Sequence, residues 1–284
     1  MMKCRQIMTF CADGEAIVKE QVLPVTREAD EPVHLESGVI NLYPEITYQE
    51  IEGFGCAITE TSAYLLSGME EAARRDILQK FFGKDGSRLH FIRTHIDSCD
   101  YSLEEYQAVK DPLQDPELLT FSLERDRKYI LPVLKEALDI SRESGNGEMA
   151  VLLSPWSPPY QWKTPPARPK NDAGVYGGPG HEMKVDYTTP SRNNGGSLKP
   201  EYYGSWAKYL VKYIQAYLDE GVPVTMLTMQ NESIAATNWN SCVWTAEEQK
   251  TFLKEFLYPE MKRAGLAEKV GIYIWDHNKE RVLE

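Results

Sequence analysis

The chain has 284 residues, with 31 basic and 43 acidic side chains and a net charge of −12. This acidic balance argues against a nucleic-acid partner, which would need a basic footprint. No apolar run approaches the ~20 residues that span a bilayer, so no transmembrane segment is predicted. The five cysteines are scattered without CxxC spacing, and the first 20 residues lack a credible signal-peptide core. These features predict a cytoplasmic protein with free thiols.

Residues 1–48 predict a small β segment. Short β-like pieces are interrupted there by three prolines and a glycine, and no helical period is visible. We expect this segment to lean on a main domain that occupies residues 49–284.

In the main domain, β-rich runs alternate with amphipathic segments. The predicted strands are 50–58, 89–97, 149–154, 224–230 and 270–276, and the predicted helices are 69–82, 123–144, 201–220 and 246–263. Such alternation predicts an α/β fold with right-handed βαβ units and a parallel sheet. Five strands fit either a doubly wound sheet or part of an eight-stranded barrel, and the hydrophobic period does not distinguish these. The irregular, proline-rich tract 155–200 is typical of a functional rim.

Polar residues follow three of the predicted strands. They occur in "IRTHIDSCDYS" (Arg93, His95, Asp97, Asp100), in "LLSPWSPPYQW" (Trp156) and in "MQNES" (Asn231, Glu232). Because the carboxyl ends of parallel strands meet at one edge, we expect these side chains to converge. Carboxylates beside tryptophan suit a sugar, and glycoside hydrolysis needs two carboxyl groups.

Each of these residues also has a structural interpretation. Glu232 is compatible with a turn, Trp156 with a loop anchor and Asp100 with a turn cap. His95 alternates with apolar residues and is expected to be a satisfied core histidine, while the pair Asp276-His277 is expected to bond its neighbours. No HxxxH or HxH spacing occurs, so no metal is predicted. The usual dinucleotide, P-loop and serine-hydrolase motifs are also absent, so no cofactor is expected.

Six motifs in order resemble glycoside hydrolase family 30, in its glucosylceramidase-like branch. They are "GFGCAITETSA" (53–63), "RTHIDSCDYS" (93–102), "SPWSPPYQWKT" (154–164), "GGSLKPEYYGSWAKYLVKYIQAY" (195–217), "TMQNES" (228–233) and "IWDHNKER" (274–281). The resemblance covers roughly residues 39–284. It implies a (β/α)8 TIM barrel, a side β-sandwich to which residues 1–48 contribute, and a retaining mechanism on a β-linked glycoside or glycolipid.

The resemblance also implies roles for single residues. Glu232 matches the general acid/base, and Asn231 matches the residue that binds the sugar 2-hydroxyl. Asp100 and Trp156 match positions that line the glycone pocket, while Arg93 matches the arginine that orients the nucleophile. His95, Asp97 and Asp276-His277 are candidates for the surrounding shell.

Two features depart from the family pattern. The family's nucleophilic glutamate lies on the seventh barrel strand, whereas this chain ends at Glu284 after a predicted fifth strand, so we expect a fragment that lacks it and is itself inactive. The tract 165–192 is longer than expected and should reshape the pocket rim. The alternatives to a glucosylceramidase-like β-glucosidase are a β-1,6-glucanase, β-xylosidase or β-fucosidase, or a non-catalytic carbohydrate-binding relic.

Overall fold

The chain divides into two compact units, Met1–Ile51 and Glu52–Glu284, in a computed structural model. The structure describes residues 3–12, 15–24, 43–164, 194–237, 239–279 and 282. In the first unit, β1 (Lys3–Ala12) pairs antiparallel with β2 (Glu15–Pro24). Residues 25–42 lie outside the described part, so the side β-sandwich stays a prediction. The tract 165–192 is also outside it.

The second unit contains a parallel five-stranded sheet. Its strands are β3 (Gly55–Ala57), β4 (Phe91–Ile96), β5 (Ala150–Pro155), β6 (Val224–Thr228) and β7 (Gly271–Tyr273). They are hydrogen-bonded in chain order, and all four pairings are parallel. A doubly wound sheet reverses its strand order at a switch point, whereas a (β/α) barrel does not. The order β3 to β7 is therefore that of five successive barrel strands.

Helices connect these strands and depart from the prediction in three places. They are α1 (Glu60–Ser67), α2 (Glu71–Phe82), α3 (Glu124–Lys128), α4 (Ile130–Glu143), α5 (Tyr203–Asp219), α6 (Ala246–Phe252) and α7 (Tyr258–Arg263). The helix predicted at 123–144 is divided at Tyr129, and a π-turn at Leu253–Leu257 separates α6 from α7. Helix α1 was not predicted, because its capping box pairs Thr59 with a serine instead of the usual glutamate or glutamine.

An aromatic row on α5 packs into the core. Tyr209, Tyr213 and Tyr217 follow one another at four-residue spacing, are fully buried, and stack with ring centroids 6.3 and 5.5 Å apart. Buried tyrosine hydroxyls need hydrogen-bond partners, so polar groups are expected on the elements that α5 contacts.

Among the described residues, no helix is long and apolar enough to cross a membrane.

Candidate active site

Arg93 is the hub of the polar site at the carboxyl end of the sheet. Its Nη2 donates to Ser154 Oγ at 3.0 Å, to Asn231 Oδ1 at 2.8 Å and to Asp276 Oδ2 at 2.7 Å. These acceptors lie on or just after β5, β6 and β7, while Arg93 itself is on β4. The structure thus brings together three of the residues singled out in the sequence, and Asp276 serves as the ion-pair partner of Arg93.

Two hydroxyl groups complete this network and were missed by the sequence analysis. Thr228 Oγ1 donates to Ser154 Oγ at 2.7 Å, and Ser154 Oγ donates to Asp276 Oδ2 at 2.7 Å. Serine and threonine near strand ends carry little signal by themselves. Their place next to the "PW" and "MQNE" segments was the only sequence clue.

Glu232 follows β6 in a left-handed backbone conformation, with φ 48°. Its N–H donates to Asp276 O at 2.8 Å, and the preceding Asn231 N–H donates to Pro155 O at 2.8 Å. The residue is half-buried, and its carboxylate has no hydrogen-bond or ion-pair partner among the described residues. A positive φ at a non-glycine residue costs free energy, so neighbouring strands fix the backbone at a position where the carboxylate is left unengaged.

Trp156 and Asp100 lie beside this network. The Cζ of Arg93 is 4.4 Å from the centroid of the Trp156 ring, and Trp156 is only 7% exposed. Little of the Trp156 ring is therefore left open for stacking. Asp100 is an exposed residue, but desolvation of its carboxyl group raises its pKa, and neighbouring donors, its own backbone N–H first and the Trp156 indole next, partly offset this rise.

His95 is a satisfied core histidine, as the sequence predicted. Its ring is fully buried; Nδ1–H donates to Asp97 O, and Nε2 accepts from Glu60 N–H at 3.0 Å. This bonding fixes the neutral tautomer, and burial lowers the pKa of His95 to about 4. His95 thus joins the strand end to the start of α1.

Asp97 is a buried carboxylate that follows directly after β4. It is 2% exposed, and burial raises its pKa to about 7. The hydroxyl of Tyr209 lies 2.7 Å from each of its carboxylate oxygens. Tyr209 was not singled out from the sequence, because its spacing on α5 is typical of a residue in the hydrophobic core.

Among the described residues, no group of three or more histidine, cysteine, aspartate or glutamate side chains is arranged to hold a metal ion.

Comparison with known proteins gives a consistent result. Residues 51–283 match the glycosyl hydrolase family 30 TIM-barrel domain. The chain is 30% identical over 239 residues to putative glucosylceramidase 3 of Caenorhabditis elegans (82% of this chain, 40% of that protein) and 28% identical over 237 residues to lysosomal acid glucosylceramidase of Mus musculus (80% and 40%). The solved structure of the endo-β1,6-glucanase BT3312 is similar with a TM-score of 0.68 and 35% identity, covering 84% of this chain and 46% of that one.

This chain thus spans about 40% of the length of the two curated relatives. The matched segment includes the whole parallel sheet and every residue of the polar site. On the extent of that match, the chain belongs to glycosyl hydrolase family 30.

Proposed function

We propose that the protein is a retaining β-glycosidase that hydrolyses β-glucosides, with Glu232 as general acid/base. The observation that carries this proposal is the half-buried carboxylate of Glu232, which has no partner among the described residues, beside the Arg93–Asp276 ion pair. A carboxyl group without such partners is available to the glycosidic oxygen of a substrate, and the surrounding hydrogen bonds keep its backbone in place.

The orientation of Asn231 supports the same assignment. Arg93 is a donor only, so the atom of Asn231 that faces it must be the amide oxygen. The amide nitrogen then points elsewhere and has no partner among the described residues. This leaves an oriented donor beside Glu232 for a sugar hydroxyl, which agrees with the 2-hydroxyl role implied by the family resemblance.

In the proposed reaction, protonated Glu232 donates its proton to the leaving oxygen while a second carboxylate attacks the anomeric carbon. Deprotonated Glu232 then takes a proton from the water that hydrolyses the glycosyl-enzyme. The second carboxylate is the nucleophilic glutamate that the family resemblance puts on the seventh barrel strand. Arg93, which the resemblance names as orienting that nucleophile, holds a carboxylate already, that of Asp276.

Two substrate classes fit this site. The names of the worm and mouse relatives favour a glucosylceramide-type substrate, while the higher identity to BT3312, 35% against 30% and 28%, favours a β-1,6-linked glucan. Both carry a β-glucosyl unit, for which we propose Asp100 and Trp156 as pocket residues. A panel of glucosylceramide, β-1,6-glucan, β-xyloside and β-fucoside, with product analysis, distinguishes the alternatives.

The decisive experiment is Glu232→Ala in the full-length protein. Loss of the general acid should lower kcat on a substrate with a poor leaving group by roughly 10²- to 10⁴-fold, while an activated aryl β-glucoside should keep a fast first step. Added azide should restore turnover and give a β-glycosyl azide. Glu247→Ala, on the exposed start of α6, is the matched control and should retain activity. Unchanged hydrolysis in Glu232→Ala on both substrates, without an azide product, would contradict the assignment.

A further inference from the structure

The segment from Asp97 to Ala108, the 97–108 loop, is closed at its base by a buried side chain. Asp97 is at the end of β4 with φ 56°, and its Oδ1 accepts the N–H of Ala108 at 2.8 Å. One carboxylate therefore joins the first residue of the loop to the last. Aspartate tolerates a left-handed backbone better than most residues, so the same side chain suits both the turn and the closure.

The closure is tied to a helix as well. The hydroxyl of Tyr209 on α5 lies 2.7 Å from both oxygens of Asp97 and 2.8 Å from the nitrogen of Ala108. The Asp97 carboxylate, the Tyr209 hydroxyl and the Ala108 N–H group thus each contact the other two. This arrangement fixes the loop base to the aromatic row of α5, which is fully buried and has little freedom to shift.

The arm of the loop that carries Asp100 continues directly from this closure. Ser98 N–H and Oγ–H both donate to Tyr106 O, at 3.2 and 3.0 Å, and Asn240 Nδ2 donates to Ser98 Oγ at 2.9 Å. Asn240 belongs to the segment after Glu232, so the arm also contacts the loop of the proposed acid/base. Asp100 lies two residues beyond Ser98 and is exposed.

We propose that Asp97 is a positioning residue for the sugar pocket: by closing the 97–108 loop against Tyr209, it holds Asp100 where a sugar hydroxyl binds. This inference rests on the proposed function. Asp97 touches no substrate itself and acts through Asp100. Displacement of a binding group by about 1 Å is enough to weaken its interaction severely, so the effect of losing Asp97 should appear in substrate affinity.

Asp126 supplies a matched control within the same core. It is also fully buried, and it accepts from Tyr213 at 2.8 Å and from Tyr217 at 2.6 Å, two other tyrosines of α5. Among the described residues it makes no direct hydrogen bond to the 97–108 loop, although Tyr213, which donates to it, also accepts the N–H of Asp97 at 3.4 Å. Truncation of Asp126 therefore removes a comparable buried carboxylate while the bonds of the Asp97 carboxylate to Ala108 and Tyr209 remain.

The test is a kinetic comparison in the full-length protein with an aryl β-glucoside. We expect Asp97→Ala to raise KM about tenfold, the loss of roughly one hydrogen bond, with kcat changed less than about threefold. Asp97→Asn, which keeps an acceptor for Ala108 N–H, should restore KM, and Asp126→Ala should leave KM within about twofold. In an Asp100→Ala background, Asp97→Ala should have little further effect, because the residue through which it acts is already gone.

Other outcomes overturn the inference. It fails if Asp126→Ala raises KM as much as Asp97→Ala does, if the Asp97→Ala effect persists in the Asp100→Ala background, or if Asp100→Ala is itself silent. Should Asp97→Ala not fold, Tyr209→Phe against Tyr217→Phe makes the same comparison by removing one hydroxyl from each carboxylate. A wild-type protein that hydrolyses no β-glucoside would instead refute the proposed function.

Discussion

Asp126 is a fully buried carboxylate with one unpartnered oxygen among the described residues, and replacing it by asparagine should stabilise the protein at neutral pH. Its Oδ1 accepts from Tyr213 and Tyr217, but its Oδ2 has no hydrogen-bond partner among the described residues. Burial raises the pKa of Asp126 to about 6, against an ordinary value of 3.8. Asparagine can keep Oδ1 as the acceptor for both tyrosines while removing the buried charge.

The size and sign of the effect follow from this pKa. A raised pKa means that the folded state holds its proton to higher pH than the unfolded state does. The fold therefore loses stability as the pH rises from about 4 to about 6, and the full cost remains above pH 6. At about 1.4 kcal/mol per tenfold, the interval from 3.8 to about 6 gives at most about 3 kcal/mol. The unpartnered amide of the asparagine reduces this gain.

Urea unfolding followed by tryptophan fluorescence, from pH 4 to pH 8, measures this difference. The free energy of unfolding of Asp126→Asn minus that of wild type should be near zero or negative at pH 4 and should increase by about 2 to 3 kcal/mol by pH 7. Asp139→Asn, on the exposed face of α4, should change stability little at any pH. A difference that stays flat across this range would refute the reasoning, because the buried carboxylate would then carry no charge penalty.

Two further substitutions test the sheet. Arg93→Lys should lower the free energy of unfolding by about 2 kcal/mol, since one ammonium group does not reproduce the planar donor that reaches three strands. Arg75→Lys, in an exposed ion pair, is its control. An equal loss in both variants would contradict the idea that Arg93 holds the strand ends together. Gly55→Ala should cost about 2 kcal/mol or more, because its Cβ would lie 2.5 Å from Phe91 O on the paired strand. Gly204 lies in α5, and a Cβ added there would have Phe256 as its nearest neighbour, at 3.9 Å. Gly204→Ala should therefore leave the free energy of unfolding unchanged or raise it slightly in the same urea measurement.

Much of the fold was predictable because periodicity is a strong signal over long elements. All five parallel strands and the main connecting helices occur where the sequence predicts them, within a few residues. The division at Tyr129 and the π-turn at Leu253–Leu257 were not predictable, since neither interrupts the apolar stripe that the period reports. Periodicity did not separate a barrel from a doubly wound sheet; the family resemblance implied the barrel, and the strand order together with the family match confirms it. The cytoplasmic location stays a prediction, as the mouse relative is named as lysosomal.

The candidate site was predictable where polarity interrupts an apolar strand. Asn231 and Glu232 stood out for that reason. Arg93 stood out because its strand is one of three that end in polar residues at the same edge of the predicted sheet. Ser154 and Tyr209 did not stand out, because a serine near a strand end and a tyrosine at helical spacing are both typical of ordinary core. Their importance depends on which atoms they meet across long sequence distances, and no local pattern contains that information.

The Arg93 hub also has a consequence for how the protein assembles. Its three hydrogen bonds span sequence separations of 61, 138 and 183 residues. Contacts of such high contact order are among the slowest to form, and each needs its strand to be in register within one residue. The network is therefore complete only when the four strands β4 to β7 have paired. Under the proposed function, sugar binding would thus report on the assembly of these strands in variants that leave the site itself unchanged, such as Gly204→Ala.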